Sequence, residues 1–303
     1  MTKLINNFVK VCDVTLRDGI QNLKSSNNNP IFSTSIKNNI INKLVNANIK
    51  NIEFGSNVSH KITEMINTKQ VLESIEYNKL HNLNLFLLVP NYNKFQELDK
   101  WNNINYVNRI SLITACSNTF IQKNTNMTFN ENLDQIDKTL TLPSHGKKFR
   151  IYISTCFGCP FEGSINKLHI NNINKIFNRF STNDKVDEIV ISDTIGNYDM
   201  MQLNQYIQAF KLTKKLSLHI HSDSEDPNIQ KIIEKYGDQL ISMDTSLGNL
   251  GGCPSVVSSK LKPNLSTLKV AQIINNSMGT TIYNTDALLD LEILVKNILN
   301  KTY

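Results

Sequence analysis

The sequence has little of what marks several protein classes. One tryptophan, eleven glycines and seven prolines in 303 residues leave no collagen-like repeat and no proline-rich linker. No apolar run approaches the roughly 18 residues a membrane span needs, so a spanning protein is excluded on this reading. The first residues show neither the apolar core of a secretion signal nor the Arg/Ser-rich look of a transit peptide, so a cytoplasmic location is expected. Five cysteines, an odd number, point to reduced thiols and not to a disulfide scaffold. Net charge is only +6, and the lysines are scattered, with doublets at Lys147-Lys148 and Lys214-Lys215. No basic stripe interleaved with aromatics is present, so neither nucleic acid nor membrane is expected as a partner. Asparagine makes up about one residue in seven, spread between apolar positions as an AT-rich coding bias would leave it.

With 40% apolar and 19% charged residues, the chain is a folded protein by composition. Short runs rich in Val, Ile and Phe recur every 30 to 40 residues or so, with longer helical stretches between them. Candidate strands are Val9–Thr15, Asn51–Gly55, Leu83–Val89, Arg109–Ala115, Arg150–Thr155, Glu188–Ser192, Ser217–His221 and Leu240–Asp244. Between them, residues Ser33–Asn46 carry Ile36, Ile40, Ile41, Leu44 and Val45 at helical spacing, and Thr128 is placed to cap a helix running to Leu140. Eight strands alternating with helices are the pattern of an α/β (β/α)8 TIM barrel. We expect one domain over residues 1–303, with the barrel at about 8–250 and a short C-terminal loop and helical extension at 251–303. An open doubly wound sheet is the rival, but no glycine-rich phosphate loop follows the first strand.

Barrel enzymes build their sites at the C-terminal ends of the strands. There the sequence places Arg17, Asp18 and Gln21, then Glu53 and Ser56, then Asn91, Asp193, and finally His219-Ile220-His221. Strand side chains alternate, so both imidazoles point the same way. Two neutral imidazoles and a carboxylate such as Asp18 make a facial set for a divalent metal; plain packing of an H-x-H pair is the alternative. Arg17 beside Asp18 reads as an ion pair or as an oxyanion-stabilising guanidinium next to a metal ligand. Glu53 and Asp193 either orient those groups or balance Arg17, and Gln21, Ser56, Asn91 and Asp193 are the candidate substrate contacts. Cys253 sits in a glycine-flanked loop that could deliver a thiol to substrate, or is an incidental small residue of a turn. Cys156-Phe157-Gly158-Cys159 has redox or zinc spacing but no second C-x-x-C, which favours a structural or pocket-lining role.

With those residues in view, the chain resembles the DRE-TIM metallolyases, and among them the 3-hydroxy-3-methylglutaryl-CoA lyase branch. The resemblance runs from about Val11 to Asn276 and rests on Asp13-Val14-Thr15-Leu16-Arg17-Asp18-Gly19-Ile20-Gln21-Asn22, Ile52-Glu53-Phe54-Gly55-Ser56, Gly158-Cys159-Pro160-Phe161-Glu162-Gly163 and Leu250-Gly251-Gly252-Cys253-Pro254. It implies Mg²⁺ or Mn²⁺ held by Asp18, His219, His221 and Asn264, catalysis by Arg17, Glu53 and Cys253, an acyl-CoA substrate, and a homodimer. The implied reaction is retro-aldol cleavage to acetyl-CoA and acetoacetate. A Claisen-type synthase, an aldolase, or a barrel that binds without catalysing are the competing expectations. The chain departs from the branch in Ser222-Asp223-Ser224-Glu225-Asp226-Pro227 after the histidines, in Asn118, and in Leu268, which stands where an acid is usual.

Overall fold

The computed structural model describes residues 8–24, 29–76, 82–223, 225–252 and 262–301. Eight parallel strands close into one barrel in chain order: β1 (Lys10–Asp13), β2 (Asn51–Ser56), β3 (Asn84–Leu88), β4 (Val107–Ala115), β5 (Lys148–Ser154), β6 (Val186–Ser192), β7 (Leu216–His219) and β8 (Ser242–Thr245). The expected TIM barrel is therefore the fold, followed by helices Thr267–Met278 and Thr285–Asn300. The longer helices between the strands bury apolar stripes against the outside of the sheet. In Lys167–Ser181 the stripe is Ile173, Ile176, Phe177 and Phe180, and Asn166 caps its first turn by accepting from the Leu168 and His169 amides. Thr128 caps Phe129–Thr141 in a reciprocal box with Glu131, as its position predicts.

The strands begin and end within two residues of the expected bounds, and two of the shifts shape the site. The first strand stops at Asp13, because Asp13 Oδ1 accepts from the Thr15 amide at 3.0 Å and starts a turn. Residues Thr15–Gly19 then wind into one π-helical turn, closed by Gly19 donating to the Val14 carbonyl. The seventh strand stops at His219, and His221 forms an isolated antiparallel bridge with Asn264.

Closure joins the first strand to the last. β1 aligns four residues with β8, from Lys10↔Ser242 to Asp13↔Thr245, but only Cys12 and Asp13 with β2. The C-terminal segment clips this seam: Tyr283 Oη accepts from the Val11 amide at 3.1 Å, and Glu292 accepts from the Gly248 amide at 2.7 Å.

Apolar packing lies mainly between sheet and helices, while the lumen is unusually polar. Among the described residues, Cys12, Val14 and Phe86 form a small buried apolar cluster of their own, separate from the main one. Above and beside it, Glu53, Arg150, Glu188 and Asp244 are essentially inaccessible to solvent. Such charges persist in an interior only when paired. Arg150 accordingly lies 2.5 Å from Asp244 and 3.1 Å from Glu188.

Candidate metal centre and active site

The π-helical turn after β1 directs Arg17 and Asp18 together into the barrel mouth, where both are buried. Arg17 Nε donates to Glu53 Oε2 and Nη1 to Asp18 Oδ1, both at 2.5 Å. Its Nη2 is buried with no acceptor among the described residues, although Arg17 lines the central cavity. Two strong N–H donors are thus held ready for an external anion. Burial alone would raise the Asp18 carboxyl, but Arg17 and the two histidines outweigh it and hold it below its ordinary range.

His219 and His221 face Asp18, and the three offer ligand atoms within 4.8 Å of one another. The tautomers follow from acceptor-only partners. His219 Nδ1 lies 3.1 Å from Asp244 Oδ2 and His221 Nδ1 lies 3.2 Å from the Lys262 carbonyl, so each Nδ1 carries the hydrogen. Both Nε2 lone pairs then point at each other across 3.1 Å. That contact is repulsive unless a cation lies between them. Burial, reinforced by neighbouring His219, brings the His221 pKa down to about 4, which keeps this imidazole neutral as a ligand must be.

Asn264 lies beside this set. Its backbone amide donates to the Leu250 carbonyl, and its side-chain amide donates to Asp18 Oδ2 at 3.0 Å. Its Oδ1 is buried without a hydrogen-bond donor. The approach requires glycine at 251, where φ is +122° and a Cβ would stand 2.6 Å from Asn264 Cγ. An orphaned carbonyl oxygen, a low-lying carboxylate and two facing imidazole lone pairs fit a hard-to-borderline divalent cation. Charge agrees: in the connected network two guanidiniums (Arg17, Arg150) face four carboxylates (Asp18, Glu53, Glu188, Asp244), leaving two negative charges for a dication to balance.

Beneath the ligands lies a network that the sequence reading overlooked. The Tyr152 hydroxyl sits 2.8 Å from Asp244, 3.1 Å from Glu53 and 2.6 Å from Arg150 Nη1. It joins the carboxylate that positions Arg17 to the one that orients His219. The signal was available as period-two polarity within strands: Arg150-x-Tyr152-x-Ser154, Ser217-x-His219-x-His221 and Ser242-x-Asp244-x-Ser246. Thr155, just after β5, adopts φ +64°, a costly backbone state for a β-branched residue. Thr194 Oγ1 accepts from its amide at 2.8 Å and holds it there.

The expected residues therefore divide. Arg17, Asp18, Gln21, Ser56, His219 and His221 line one cavity of about 300 Å³, with Gln21 donating to Asp18 at 2.7 Å. Glu53 lies behind Arg17 and does not line that cavity. Asp193 is also set back: its two oxygens accept from the amides of Ile195, Gly196, Asn197 and Tyr198 and shape the loop that presents Thr194. Asn91 is outside the cavity and caps the helix Tyr92–Gln96. Cys253 falls outside the described residues. The C-x-x-C pair is buried, with Cys159 Sγ donating to Ser117 Oγ at 3.0 Å and Cys156 Sγ to the Ile153 carbonyl, in keeping with structural thiols. Among the described residues, no helix is long and apolar enough to cross a membrane.

Comparison with known proteins bears on this arrangement. Mitochondrial hydroxymethylglutaryl-CoA lyase of Bos taurus is 28% identical over 301 residues, covering 97% of this chain and 86% of the relative. The human cytoplasmic 3-hydroxy-3-methylglutaryl-CoA lyase is 25% identical, covering 97% and 76%. Among solved structures, an HMG-CoA lyase from Acinetobacter baumannii, in complex with coenzyme A and 3-methylmalate, superposes with a TM-score of 0.80 at 23% identity, covering 97% of this chain and 92% of that one. The model of the HMGL-like family matches residues 8–225, well over half of the sequence, and the chain belongs to that family.

Proposed function

We propose that this protein is a divalent-metal-dependent carbon–carbon lyase. It cleaves a 3-hydroxy-3-methylglutaryl-CoA-like thioester to acetyl-CoA and acetoacetate. The observation that carries the reading is that Asp18, His219 and His221 offer ligand atoms within 4.8 Å of one another, with Asn264 hydrogen-bonded to Asp18 and an Arg17 Nη2 that has no acceptor among the described residues. The names of the full-length relatives support the same reaction.

In the cleavage, the tertiary hydroxyl gives up its proton and becomes a ketone as the C2–C3 bond breaks. The electron pair of that bond passes to the thioester as an enolate, which then takes a proton at C2. A divalent ion at the four ligands would supply Lewis acidity to the hydroxyl. Arg17 donates from Nη2 toward the enolate oxygen, held at its angle by Glu53. Asp244 fixes the His219 tautomer and leaves Nε2 as the ligand atom. Tyr152 has one hydroxyl hydrogen to give to Asp244 or to Glu53, and so links the two carboxylates. Cys253, in its glycine-flanked loop, is the candidate for the proton exchange at C2. Coenzyme A in the Acinetobacter structure supports an acyl-CoA substrate.

Purified protein with Mn²⁺ and hydroxymethylglutaryl-CoA, followed for acetoacetate by mass spectrometry, tests the proposal. Metal-dependent acetoacetate that disappears in His221→Ala is the expected result. No acetoacetate from protein whose melting temperature rises with Mn²⁺ would refute the reaction while keeping the metal site. Failure of both would leave a barrel that binds without catalysing.

A further inference from the structure

The cavity has two unlike walls, and barrel order places them opposite each other. The candidate ligands come from the ends of β1 and β7, on either side of β8. Across the lumen lies β4, flanked by β3. That far wall is made by Leu88 at the end of β3, Pro90 after it, and Ile113 and Phe120 on and after β4, with Val58 and Ile62 at its border and Asn124 and Thr125 at its outer rim. Arg17 is the one arginine or lysine among the described lining residues, and it lies on the ligand side.

Ile113 is the informative residue. It sits within the nine-residue strand β4, beyond the end of the β3 ladder and paired with Tyr152 of β5, and it is only half-buried between buried Leu112 and Thr114. In a closed barrel with helices outside, such exposure is exposure to the lumen. Apolar surface kept wet inside a pocket is recovered when a ligand covers it with apolar surface of its own. A methyl group is small against a wall of four to six apolar side chains. From this, and resting on the lyase reading above, we infer that the cavity is built for a 3-hydroxy-3-alkylglutaryl thioester whose alkyl branch is longer than methyl. The branch lies against Ile113, Leu88, Pro90 and Phe120 while the oxygen functions face Asp18, His219 and Arg17. The chemistry is unchanged: acetyl-CoA leaves, and the other product is the 3-oxo acid bearing the longer chain.

The test compares the 3-methyl, 3-ethyl, 3-propyl and 3-butyl homologues of the CoA thioester on the Mn²⁺-loaded full chain. Each methylene buried on the wall is expected to raise kcat/KM about fourfold until the arm is full. In parallel, the uncleavable 3-alkylglutaryl-CoA series, lacking the hydroxyl, is titrated calorimetrically and is expected to tighten in the same order. Ile113→Phe, checked for an unchanged thermal melt, should reverse the butyl-over-methyl ratio in both series. Ile113→Val, which enlarges the arm without a new clash, should move the optimum toward longer chains. Highest kcat/KM for the methyl compound, with binding that weakens at each added carbon, overturns the inference. Binding that tightens with length, with no homologue cleaved, overturns the lyase reading and leaves the apolar arm standing.

Discussion

Asp244→Asn is the sharpest perturbation of the lumen network, because it changes charge and leaves volume almost untouched. Asp244 is inaccessible to solvent and serves three partners: Arg150 at 2.5 Å, His219 at 3.1 Å and Tyr152 at 2.8 Å. Burial alone would raise its carboxyl, yet Arg150 and His219 hold it far below the ordinary carboxylate range. Removing one partner of a buried pair costs about 3–5 kcal/mol, since the other charge is left unmatched. Here Glu188 still neutralises part of Arg150, and an amide oxygen still accepts one bond. The lower end, about 3 kcal/mol, is therefore expected in a urea melt with chelator present. The second consequence is separate. Without the carboxylate, His219 loses the partner that fixes its tautomer, and such losses cost about 10- to 100-fold in metal affinity. Free Mn²⁺ counted by electron paramagnetic resonance during a titration reads that term independently of folding. A variant that is less stable but binds Mn²⁺ as tightly as the parent would show that Asp244 serves Arg150 alone, and the orienting role would be withdrawn.

Three further outcomes are expected. Asp13 is fully buried, and desolvation, partly opposed by Thr267 and Thr15, raises its pKa to about 6. The folded state therefore holds a proton that the unfolded chain has lost, so stability should fall as pH rises from about 4 to about 6; Asp13→Asn should flatten that slope in melts across the range. Gly251→Ala places a methyl against Asn264 at a positive φ, so Mn²⁺ affinity should drop about tenfold or more by the same titration, while Ala at an exposed turn glycine with free space, such as Gly146, leaves affinity unchanged. Arg17→Lys keeps the charge but loses the fork that engages Glu53 and Asp18 together, so kcat should fall about 10²- to 10³-fold with a smaller change in KM; a raised KM with kcat unchanged would place Arg17 in ground-state binding instead.

The barrel was legible because each strand–helix unit carries its own periodicity, and Asp18, His219 and His221 because reactive types gathered at one end of the strands. Arg150, Tyr152, Glu188 and Asp244 were passed over for a physical reason. In a parallel barrel the outward face of each strand is apolar, and the inward face can be read as core whatever its residue types. Only closure shows that Glu53, Tyr152 and Asp244, distant in sequence, share one layer. Asn91 was drawn toward the site by its place after a strand, but the helix start it caps uses its side chain first. Asp193 was selected for the same reason, and four backbone amides consume it.

The seam between the first and last strands sets an order of events for the growing chain. β1 has two aligned residues with β2 but four with β8, so its main partner is about 230 residues away. Contacts of such sequence separation form late. Arg17 and Asp18 hang from the end of that strand, whereas His219 and His221 arrive with the seventh. A ribosome-bound intermediate that has made everything up to residue 236 thus has both imidazoles but no fixed carboxylate opposite them. On the proposed reading, a divalent ion would meet its full ligand set only once the barrel shuts, so tight Mn²⁺ binding would mark that closure.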